Sequence, residues 1–458
     1  MKSVAIAAVA GALASTVAGS ATPVQKRADV TTITVKGNAF WKGNERFYIR
    51  GVDYQPGGAS DAKDPIADEA GCKRDVAKFK ELGINTVRVY TVDNTADHDT
   101  CMNALADAGI YLALDVNTPK YSINRASPQV SYNKDYLQSV FATVEKFAAY
   151  PNTLLFFSGN EVINDDKTTN CAPFVKAVTR DIKSYMNARK LRKVPVGYSA
   201  ADVESNRYEM ADYMNCGEDS VRSDFYAFND YSWCDPNDFT GSGWDKKVEK
   251  LSNYSIPIFL SEFGCNTNKR QFNEVKSIYS TDMSAVYSGG LVYEYSMEES
   301  KYGLVQIDGS SVEELADFTT LKNAYAGAKD PSGDGGYKKS GGASSCPSKS
   351  DSWNVTMSDD KLPAFPSGAS TFLQKGAGAG PGLKGSGSQS SGSVETEVAD
   401  AGSGAVTSGA AGGSVASGSS SPSTGAAASF RAGEFSLAPL AMGAVVLSSM
   451  LFGGALVL

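Results

Sequence analysis

Two short apolar runs of this chain each lead to a glutamate. The first run starts at Leu154 and reaches Glu161, and the second starts at Ile256 and reaches Glu262. Apolar runs of this length are typical of buried parallel strands, and closed parallel barrels keep their reactive side chains where such strands end. Two carboxyl groups in one site, one protonated and one ionised, are what glycoside hydrolysis requires.

The two glutamates are expected to take different roles. Close carboxyl groups push each other's pKa values apart, which leaves one as a proton donor and the other as an anion. We expect Glu161, which follows Asn160, to be the acid/base and Glu262 to be the nucleophile. A separation of roughly 5 Å would correspond to the retaining mechanism with a covalent glycosyl-enzyme. Each glutamate taken alone could equally be a surface or capping residue.

Four further side chains are candidates for the same site. Arg88 lies inside a strand-like run and needs a carboxylate partner, either in a structural ion pair or by holding Glu262 ionised. Tyr90, Tyr231 and Tyr295 lie near strand ends. Tyrosine there is often a core residue, but its ring also packs against the apolar face of glucose.

Strand-like and helix-like runs alternate over residues 47–295. The predicted strands are Phe47–Val52, Thr86–Tyr90, Tyr111–Val116, Thr153–Phe157, Val194–Tyr198, Phe225–Asn229, Ile256–Leu260 and Gly290–Tyr295. Helical periodicity covers Cys72–Leu82, residues 137–148 and 175–186, and Trp244–Leu251. Eight such units predict an α/β fold, a (β/α)8 TIM barrel. A doubly wound open sheet is the alternative, but its Gly-rich phosphate turn is absent from the sequence.

Composition excludes several classes of function. The formal net charge is −8 and the pI is near 5.0, which argues against a nucleic-acid partner. A single histidine, His98, makes a Ser-His-Asp or Cys-His nucleophile improbable. The sequence has no CxxC spacing and only one histidine, which argues against a structural zinc site. Because the expected mechanism needs only two carboxyl groups and bound sugar, we expect no metal and no other cofactor.

The seven cysteines suit an exported chain in which most are paired. Cys171 is predicted to be the unpaired thiol, and the remaining six allow fifteen connectivities. Asn253 and Asn354 start N-glycosylation sequons, which agrees with export.

The two ends of the chain predict export and membrane anchoring. Lys2 and the apolar run after it resemble a secretory signal, and Lys26-Arg27 could be a processing site. Small residues, a spacer and the apolar residues 437–458 match a GPI-anchor signal, with attachment near Gly425. A single membrane-spanning helix is the alternative for that tail.

These signals divide the chain into five parts. Gly, Ser and Ala dominate after Cys346, and a segment so poor in apolar residues is expected to be a flexible stalk. The predicted parts are a signal peptide (1–20), a short propeptide (21–27), a catalytic barrel with a C-terminal strap (28–346), a disordered Gly/Ser-rich stalk (347–425) and an anchor signal (426–458).

Several motifs, taken together, resemble one enzyme family. They are Gly51–Gly58, Arg88–Tyr90, Gly159–Val162, Tyr231–Cys234, Ser261–Cys265 and Val292–Tyr295. This set resembles glycoside hydrolase family 72, the fungal GPI-anchored β-1,3-glucanosyltransferases. Cys346 is the last cysteine, so the chain is most similar to the branch without the cysteine-rich carbohydrate-binding module.

The resemblance implies an activity and roles for individual residues. The enzyme would cut an internal β-1,3-glucan linkage, hold the new reducing end on Glu262 and transfer it to the non-reducing end of another β-1,3-glucan. Glu161 would be the acid/base, and Asn160 would contact the sugar 2-hydroxyl. The other implied assignments are a Tyr231 hydrogen bond to the nucleophile, a donor cleft lined by Tyr90 and Tyr295, and the disulfides Cys72–Cys101, Cys216–Cys346 and Cys234–Cys265.

The sequence leaves two other functions open. A hydrolytic endo-β-1,3-glucanase would use the same glycosyl-enzyme, because the product depends only on whether water or a sugar hydroxyl attacks it. A non-catalytic glucan-binding wall protein is the second alternative. On every interpretation the expected partner is β-1,3-glucan. A GPI lipid would hold the protein, a monomer, at the outer face of the plasma membrane or in the cell wall.

Overall fold

Eight parallel strands close into a barrel in this computed structural model, which describes residues 30–59, 62–355, 361–389 and 398–400. The barrel strands are β4 (Ile49–Asp53), β5 (Thr86–Val89), β6 (Tyr111–Asp115), β7 (Thr153–Asn160), β8 (Val196–Ala201), β9 (Phe225–Asn229), β10 (Ile258–Phe263) and β11 (Tyr287–Val292). They are hydrogen-bonded in chain order, and β11 pairs with β4 to complete the ring. The predicted (β/α)8 barrel is confirmed.

Helices surround the barrel. In chain order they are α1 (Glu69–Leu82), α2 (Asp99–Asp107), α3 (Pro128–Ser131), α4 (Lys134–Phe147), α5 (Ala172–Ala188), α6 (Arg207–Asn215), α7 (Trp244–Leu251), α8 (Glu274–Ile278), α9 (Ala316–Gly327) and α10 (Ser370–Lys375). Local sequence sets several of the ends. The Asp68 side chain accepts a hydrogen bond from the amide of Gly71 and caps α1, which ends at Gly83 with φ +70°.

One mouth of the barrel is closed by a small antiparallel sheet. This sheet consists of β1 (Ile33–Lys36), β2 (Ala39–Lys42) and β3 (Glu45–Phe47). Phe40 of β2 is fully buried, and its ring lies 6.2 Å from that of Phe225 and 5.9 Å from that of Phe259. The apolar plug leaves the opposite mouth, where the parallel strands end, for the chemistry.

The last predicted strand is displaced along the chain. It was expected at Gly290–Tyr295, but β11 begins at Tyr287 and ends at Val292. Pairing with β4 runs from Gly289 opposite Ile49 to Val292 opposite Val52, and the chain then leaves the barrel. Beyond it lie the hairpin β12 (Val305–Asp308) and β13 (Ser311–Glu314), followed by α9.

After Cys346, residues 347–355 and 361–389 pack on the barrel. Trp353, Phe365 and Phe372 are buried, and the last two rings lie 6.1 and 6.3 Å from Phe141 of α4. Strand β14 (Lys361–Pro363) pairs with β15 (Val398–Asp400), and α10 packs on α5.

The prediction of a flexible stalk starting at Pro347 is therefore wrong for residues 347–355 and 361–389. The prediction averaged composition, whereas packing depends on a few aromatic side chains spaced among the glycines. The other predicted stalk residues, apart from 398–400, lie outside the described residues, as do the signal peptide, the propeptide and the anchor signal.

Three disulfides and one buried thiol account for the cysteines. The bonded pairs are Cys72–Cys101, Cys216–Cys346 and Cys234–Cys265, the same pairs that the family resemblance implies. Cys171 is unpaired and buried, as predicted. Within the described part of the chain, no helix is both long and apolar enough to cross a bilayer.

Candidate active site

The two glutamates lie at the same mouth of the barrel. Glu161 directly follows the last residue of β7, and Glu262 is the second-last residue of β10. Asn229, the last residue of β9, links them. Its position is opposite Glu262 in the strand register, and its Nδ2 donates to Glu161 Oε1 at 2.8 Å. The expected 5 Å separation of the two carboxyl groups stays a prediction.

Three donors hold the carboxyl group of Glu262, which is only 7% exposed. Tyr90 Oη donates to Oε1 at 2.8 Å, and Tyr231 Oη donates to Oε2 at 2.7 Å. Arg88 Nη1 lies 3.3 Å from Oε1. Both carboxylate oxygens are thus fixed by donors that favour the ionised form.

Arg88 combines the two roles that the sequence left open. Its Nε and Nη2 donate to the two oxygens of Asp115 at 2.9 and 3.3 Å, while Nη1 also contacts the carbonyl of Ser261 at 3.2 Å. The arginine is fully buried. It forms an ion pair with Asp115 and also faces Glu262. Asp115 was not selected from the sequence. Its position at the end of β6, the strand next to that of Arg88, could have indicated it.

Opposing effects set the pKa of Glu262. Burial raises it, the Arg88 charge lowers it, the Glu161 charge raises it, and the hydrogen bonds from Tyr231 and Tyr90 lower it, so that the resulting pKa is about 7. A proton on Glu161 removes the opposing charge. Ionisation of Glu262 is therefore easier while Glu161 is neutral.

The backbone at Glu161 turns sharply. Its φ is +47°, a left-handed conformation that costs a non-glycine residue on the order of 1–3 kcal/mol. The Glu161 amide donates to Ser199 O at 2.8 Å, and its carbonyl accepts from Arg125 Nη2 at 2.5 Å. These contacts on both sides of the residue stabilise the turn. Arg125 was not predicted, because only the tertiary structure brings its loop to β7.

A polar network surrounds Asn160. Its Oδ1 accepts from Asn229 Nδ2 at 3.1 Å and lies 2.7 Å from Ser199 Oγ, which is also 2.9 Å from Ser261 Oγ. Because the carbonyl oxygen of the amide is occupied, the orientation of Asn160 is set. Its NH₂ group then remains as the donor for a ligand.

An aromatic cluster adjoins Glu262. Tyr90, Tyr293 and Tyr302 form it, with Tyr231 packed against them. Ring centroids are 5.2 Å apart for Tyr293 and Tyr302 and 5.7 Å apart for Tyr231 and Tyr302. Such a surface suits the apolar face of a pyranose ring. Tyr293 and Tyr302 were not selected from the sequence.

Tyr295, in contrast, is not brought to this cluster. It is fully buried in the main core, its hydroxyl donates to Asp75 Oδ1 at 2.8 Å, and its ring packs on Tyr54 and Phe79. The expectation that Tyr295 lines the cleft is therefore wrong for this structure. Because β11 ends at Val292, the ring that reaches the cleft is that of Tyr293.

Two more buried carboxyl groups lie near Glu262. Asp53 ends β4 opposite Arg88, and neither of its oxygens has a hydrogen-bond partner among the described residues. Burial holds the pKa of Asp53 well above its usual range, although the Arg88 charge lowers it. Burial likewise raises the pKa of Glu294 to about 8, against a hydrogen bond from Ser300. Burial therefore favours the protonated form of both groups.

The described residues contain no cluster of three or more His, Cys, Asp or Glu side chains suited to a metal ion. Two cavities lie elsewhere, about 400 Å³ beside Asp64 and about 610 Å³ beside Lys183. Neither is lined by Glu161 or Glu262, so the polar and aromatic cluster rather than a large cavity defines the candidate site.

Comparison with known proteins gives a consistent result. Residues 22–329 match the model of glycoside hydrolase family 72, described as glucanosyltransferase. The chain is 64% identical over 385 residues to 1,3-beta-glucanosyltransferase gel1 of Aspergillus fumigatus, covering 84% of this chain and 85% of the relative. It is 56% identical to 1,3-beta-glucanosyltransferase GAS5 of Saccharomyces cerevisiae, covering 76% and 72%.

Solved structures agree with the sequence matches. One is Saccharomyces cerevisiae Gas2p, a mutant form in complex with laminaritetraose and laminaripentaose. Its TM-score is 0.68 at 37% identity, and the similarity covers 74% of this chain and 75% of that one.

Proposed function

This chain belongs to the glucanosyltransferase family, glycoside hydrolase family 72, and on that premise we propose that it is a 1,3-β-glucanosyltransferase. It cleaves an internal β-1,3-glucosidic bond with retention and transfers the new reducing end to the non-reducing end of another β-1,3-glucan. The observation that carries the mechanism is the Glu262 carboxylate, held by three donors at the barrel mouth that also contains Glu161.

The first step forms the glycosyl-enzyme. A Glu262 oxygen attacks the anomeric carbon while Glu161 donates its proton to the departing glycosidic oxygen, whose bond to that carbon breaks. The products are a glucosyl ester on Glu262, an ionised Glu161 and a released glucan with a free hydroxyl group. The donors on Glu262 favour the anionic form that makes the attack.

The second step transfers the glucan. Glu161, now ionised, removes the proton from the 3-hydroxyl of the acceptor, whose oxygen attacks the anomeric carbon and displaces the Glu262 carboxylate. A new β-1,3 bond forms and both glutamates return to their starting states. No cofactor is needed for either step.

Sugar binding is assigned to the residues around the two carboxyl groups. The free NH₂ of Asn160 donates to the 2-hydroxyl, and Tyr90 and Tyr231 orient the nucleophile while presenting ring faces to the donor. Tyr293 takes the cleft position that was expected for Tyr295. Arg88 acts through Glu262 rather than on the sugar, because it is fully buried.

The deciding experiment measures product length. The purified protein is incubated with a laminari-oligosaccharide donor and a reduced acceptor, and the products are separated by mass. Products longer than the donor are expected, and products that are only shorter would instead mean an endo-β-1,3-glucanase. Glu262→Gln should reduce turnover by several orders of magnitude, and unchanged glucan remodelling would favour a non-catalytic wall protein.

We also propose that the protein is an exported, N-glycosylated monomer anchored by GPI to the outer face of the plasma membrane. The sequon residues Asn253 and Asn354 are both exposed, so the folded barrel can carry glycans there. Phosphatidylinositol-specific phospholipase C should release the membrane-bound protein into the aqueous phase. Retention after that treatment would favour a membrane-spanning helix.

A further inference from the structure

Two glycines of the C-terminal arm, defined as residues 361–389, are sites of close packing. A Cβ atom added to Gly380 would lie 2.1 Å from Asn94 Oδ1, and one added to Gly385 would lie 2.2 Å from the Tyr121 hydroxyl. Contacts under 3 Å cannot be accommodated without movement of the neighbour. Glycine at these positions therefore permits the arm to lie directly against the barrel loops.

The end of the arm is hydrogen-bonded to the β6–α3 loop, residues 116–127. Four bonds run from Gly387 N to Tyr121 Oη (3.1 Å), from Ser388 N to Lys120 O (3.0 Å), and from Gln389 Nε2 to Pro119 O (3.1 Å) and Ser122 Oγ (2.7 Å). In return, Lys120 Nζ donates to Gly385 O at 3.1 Å. The conformation of this loop thus depends on the arm.

The same loop carries the arginine that holds the turn at Glu161. Arg125 Nη2 donates to Glu161 O at 2.5 Å, and its Nε donates to Val162 O at 2.9 Å. Glu161 needs such support because its φ of +47° is unfavourable for a residue with a side chain. A continuous series of contacts therefore runs from the arm through the loop and Arg125 to Glu161.

We propose that the C-terminal arm is a positioning element for the acid/base, acting through the β6–α3 loop. This inference rests on the proposed function, since it concerns proton donation by Glu161. Residues of the predicted stalk, outside the family match at 22–329, thereby become part of the working enzyme. A small displacement of a catalytic group can cost up to about 100-fold in rate.

The test compares two donors in the full-length protein. A laminari-oligosaccharide has a leaving oxygen that must be protonated, whereas laminaripentaosyl β-fluoride loses fluoride without a proton. Gly385→Ala should lower first-turnover cleavage of the oligosaccharide by roughly 10- to 100-fold and fluoride release by less than about threefold. A merely structural role would lower both rates equally.

The matched control is Gly342→Ala. Gly342 has no atom within 4 Å of an added Cβ, and no positive φ is recorded for it or for Gly385. It should leave both rates unchanged. Equal losses on the two donors for Gly385→Ala, or no loss on either, would overturn the inference.

If Gly385→Ala does not fold, Gln389→Ala takes its place. That change removes two hydrogen bonds to the loop without adding volume, and the same ratio of losses decides the outcome. Glu161→Gln is the reference. If Glu161→Gln shows no selective loss on the oligosaccharide, the proposed acid role of Glu161 is wrong. If Glu161→Gln shows the selective loss and the arm variants do not, only the proposed role of the arm is wrong.

Discussion

At Glu262 a buried carboxyl group has to be ionised and still remain reactive. Burial and the charge of Glu161 oppose ionisation, whereas Arg88 and two tyrosine hydroxyls favour it. Because burial outweighs the donors, the pKa of Glu262 is raised to about 7, and it responds to the state of its neighbours. Transfer of one proton to or from Glu161 thus changes the fraction of Glu262 that is ionised.

Removal of the Tyr231 hydroxyl should weaken the nucleophile. Tyr231→Phe eliminates a hydrogen bond to the carboxylate, an interaction that contributes about 1.5–3 kcal/mol, so kcat should fall roughly 10- to 100-fold. The bond favours the charged form, and its loss should raise the pKa of Glu262 and move the acidic limb of the pH profile to higher pH.

Tyr302→Phe is the control for that variant. Tyr302 belongs to the same aromatic cluster, but no hydrogen bond from its hydroxyl to Glu262 exists among the described contacts. It should leave the pH profile in place. A Tyr231→Phe profile that coincides with that of the unmodified protein would contradict the prediction.

Neutralisation of Glu161 should have the opposite effect on the nucleophile. Glu161→Gln removes the negative charge that raises the pKa of Glu262, so that pKa should fall below about 7. Carboxyl ¹³C NMR titration of the two proteins measures it, with Glu262→Gln used to assign the resonance. An unchanged or higher pKa would mean that the two carboxyl groups are too distant to interact.

At the scale of elements, a charged network on α7 supports the wall of the site. Lys247 Nζ lies 2.6 Å from a carboxylate oxygen of Asp202 and 2.6 Å from one of Asp230. The Asp230 amide donates to Glu262 O at 2.8 Å, and Tyr231 is the next residue. Packing of α7 therefore affects both the backbone and the side-chain partner of the nucleophile.

Lys247→Met should destabilise the protein strongly. It leaves the buried Asp230 carboxylate without its cation, a change that typically costs about 3–5 kcal/mol, whereas Asp202 keeps its ion pair with Arg207. Urea unfolding measures the effect, and addition of Asp230→Asn should recover part of the loss because the amide needs no counter-charge.

Lys246→Met is the matched control on the same helix, since Lys246 is exposed and forms no ion pair with any residue that the structure describes. It should change the free energy of unfolding by less than about 0.5 kcal/mol. Equal effects of the two methionine variants would argue against the buried network as a support of the site.

At the scale of the whole molecule, buried carboxyl groups make the folded state more stable at acidic pH than at alkaline pH. Burial raises the pKa of Glu262 to about 7 and those of Glu274 and Glu294 to about 8, above the value of 4.5 for a free glutamate. The folded state then binds these protons more tightly than the unfolded chain. Stability should therefore fall as the pH rises from about 4.5 to 8.

Glu274→Gln separates this effect from catalysis. Glu274 is 2% exposed, and its Oε2 has no hydrogen-bond partner among the described residues. The variant should be more stable than the unmodified protein at pH 8, on the order of 3 kcal/mol, and similar to it near pH 4.5. Thermal unfolding across that range measures it, with the exposed Glu249→Gln as control, and equal pH dependences would refute the assignment.

The amino-acid sequence predicted the barrel, the two glutamates at its mouth and two of the three partners of Glu262, Arg88 and Tyr231. These features depend on local signals: apolar runs of strand length, residues that end strands, and motifs that occur together. The parallel strands of a barrel all end at one mouth, so the position of Glu161 and Glu262 along their strands was sufficient to bring them to one site.

Only the tertiary structure decided features that depend on where a strand stops and on distant contacts. The end of β11 at Val292 places Tyr293 in the cleft and Tyr295 in the core, although the two residues are equivalent in an alternating pattern. Arg125 and the C-terminal arm reach Glu161 through loops far apart in sequence. Average composition predicted a flexible stalk after Cys346. Residues 361–389 instead pack on the barrel, because a few aromatic side chains and close glycine contacts decide the packing.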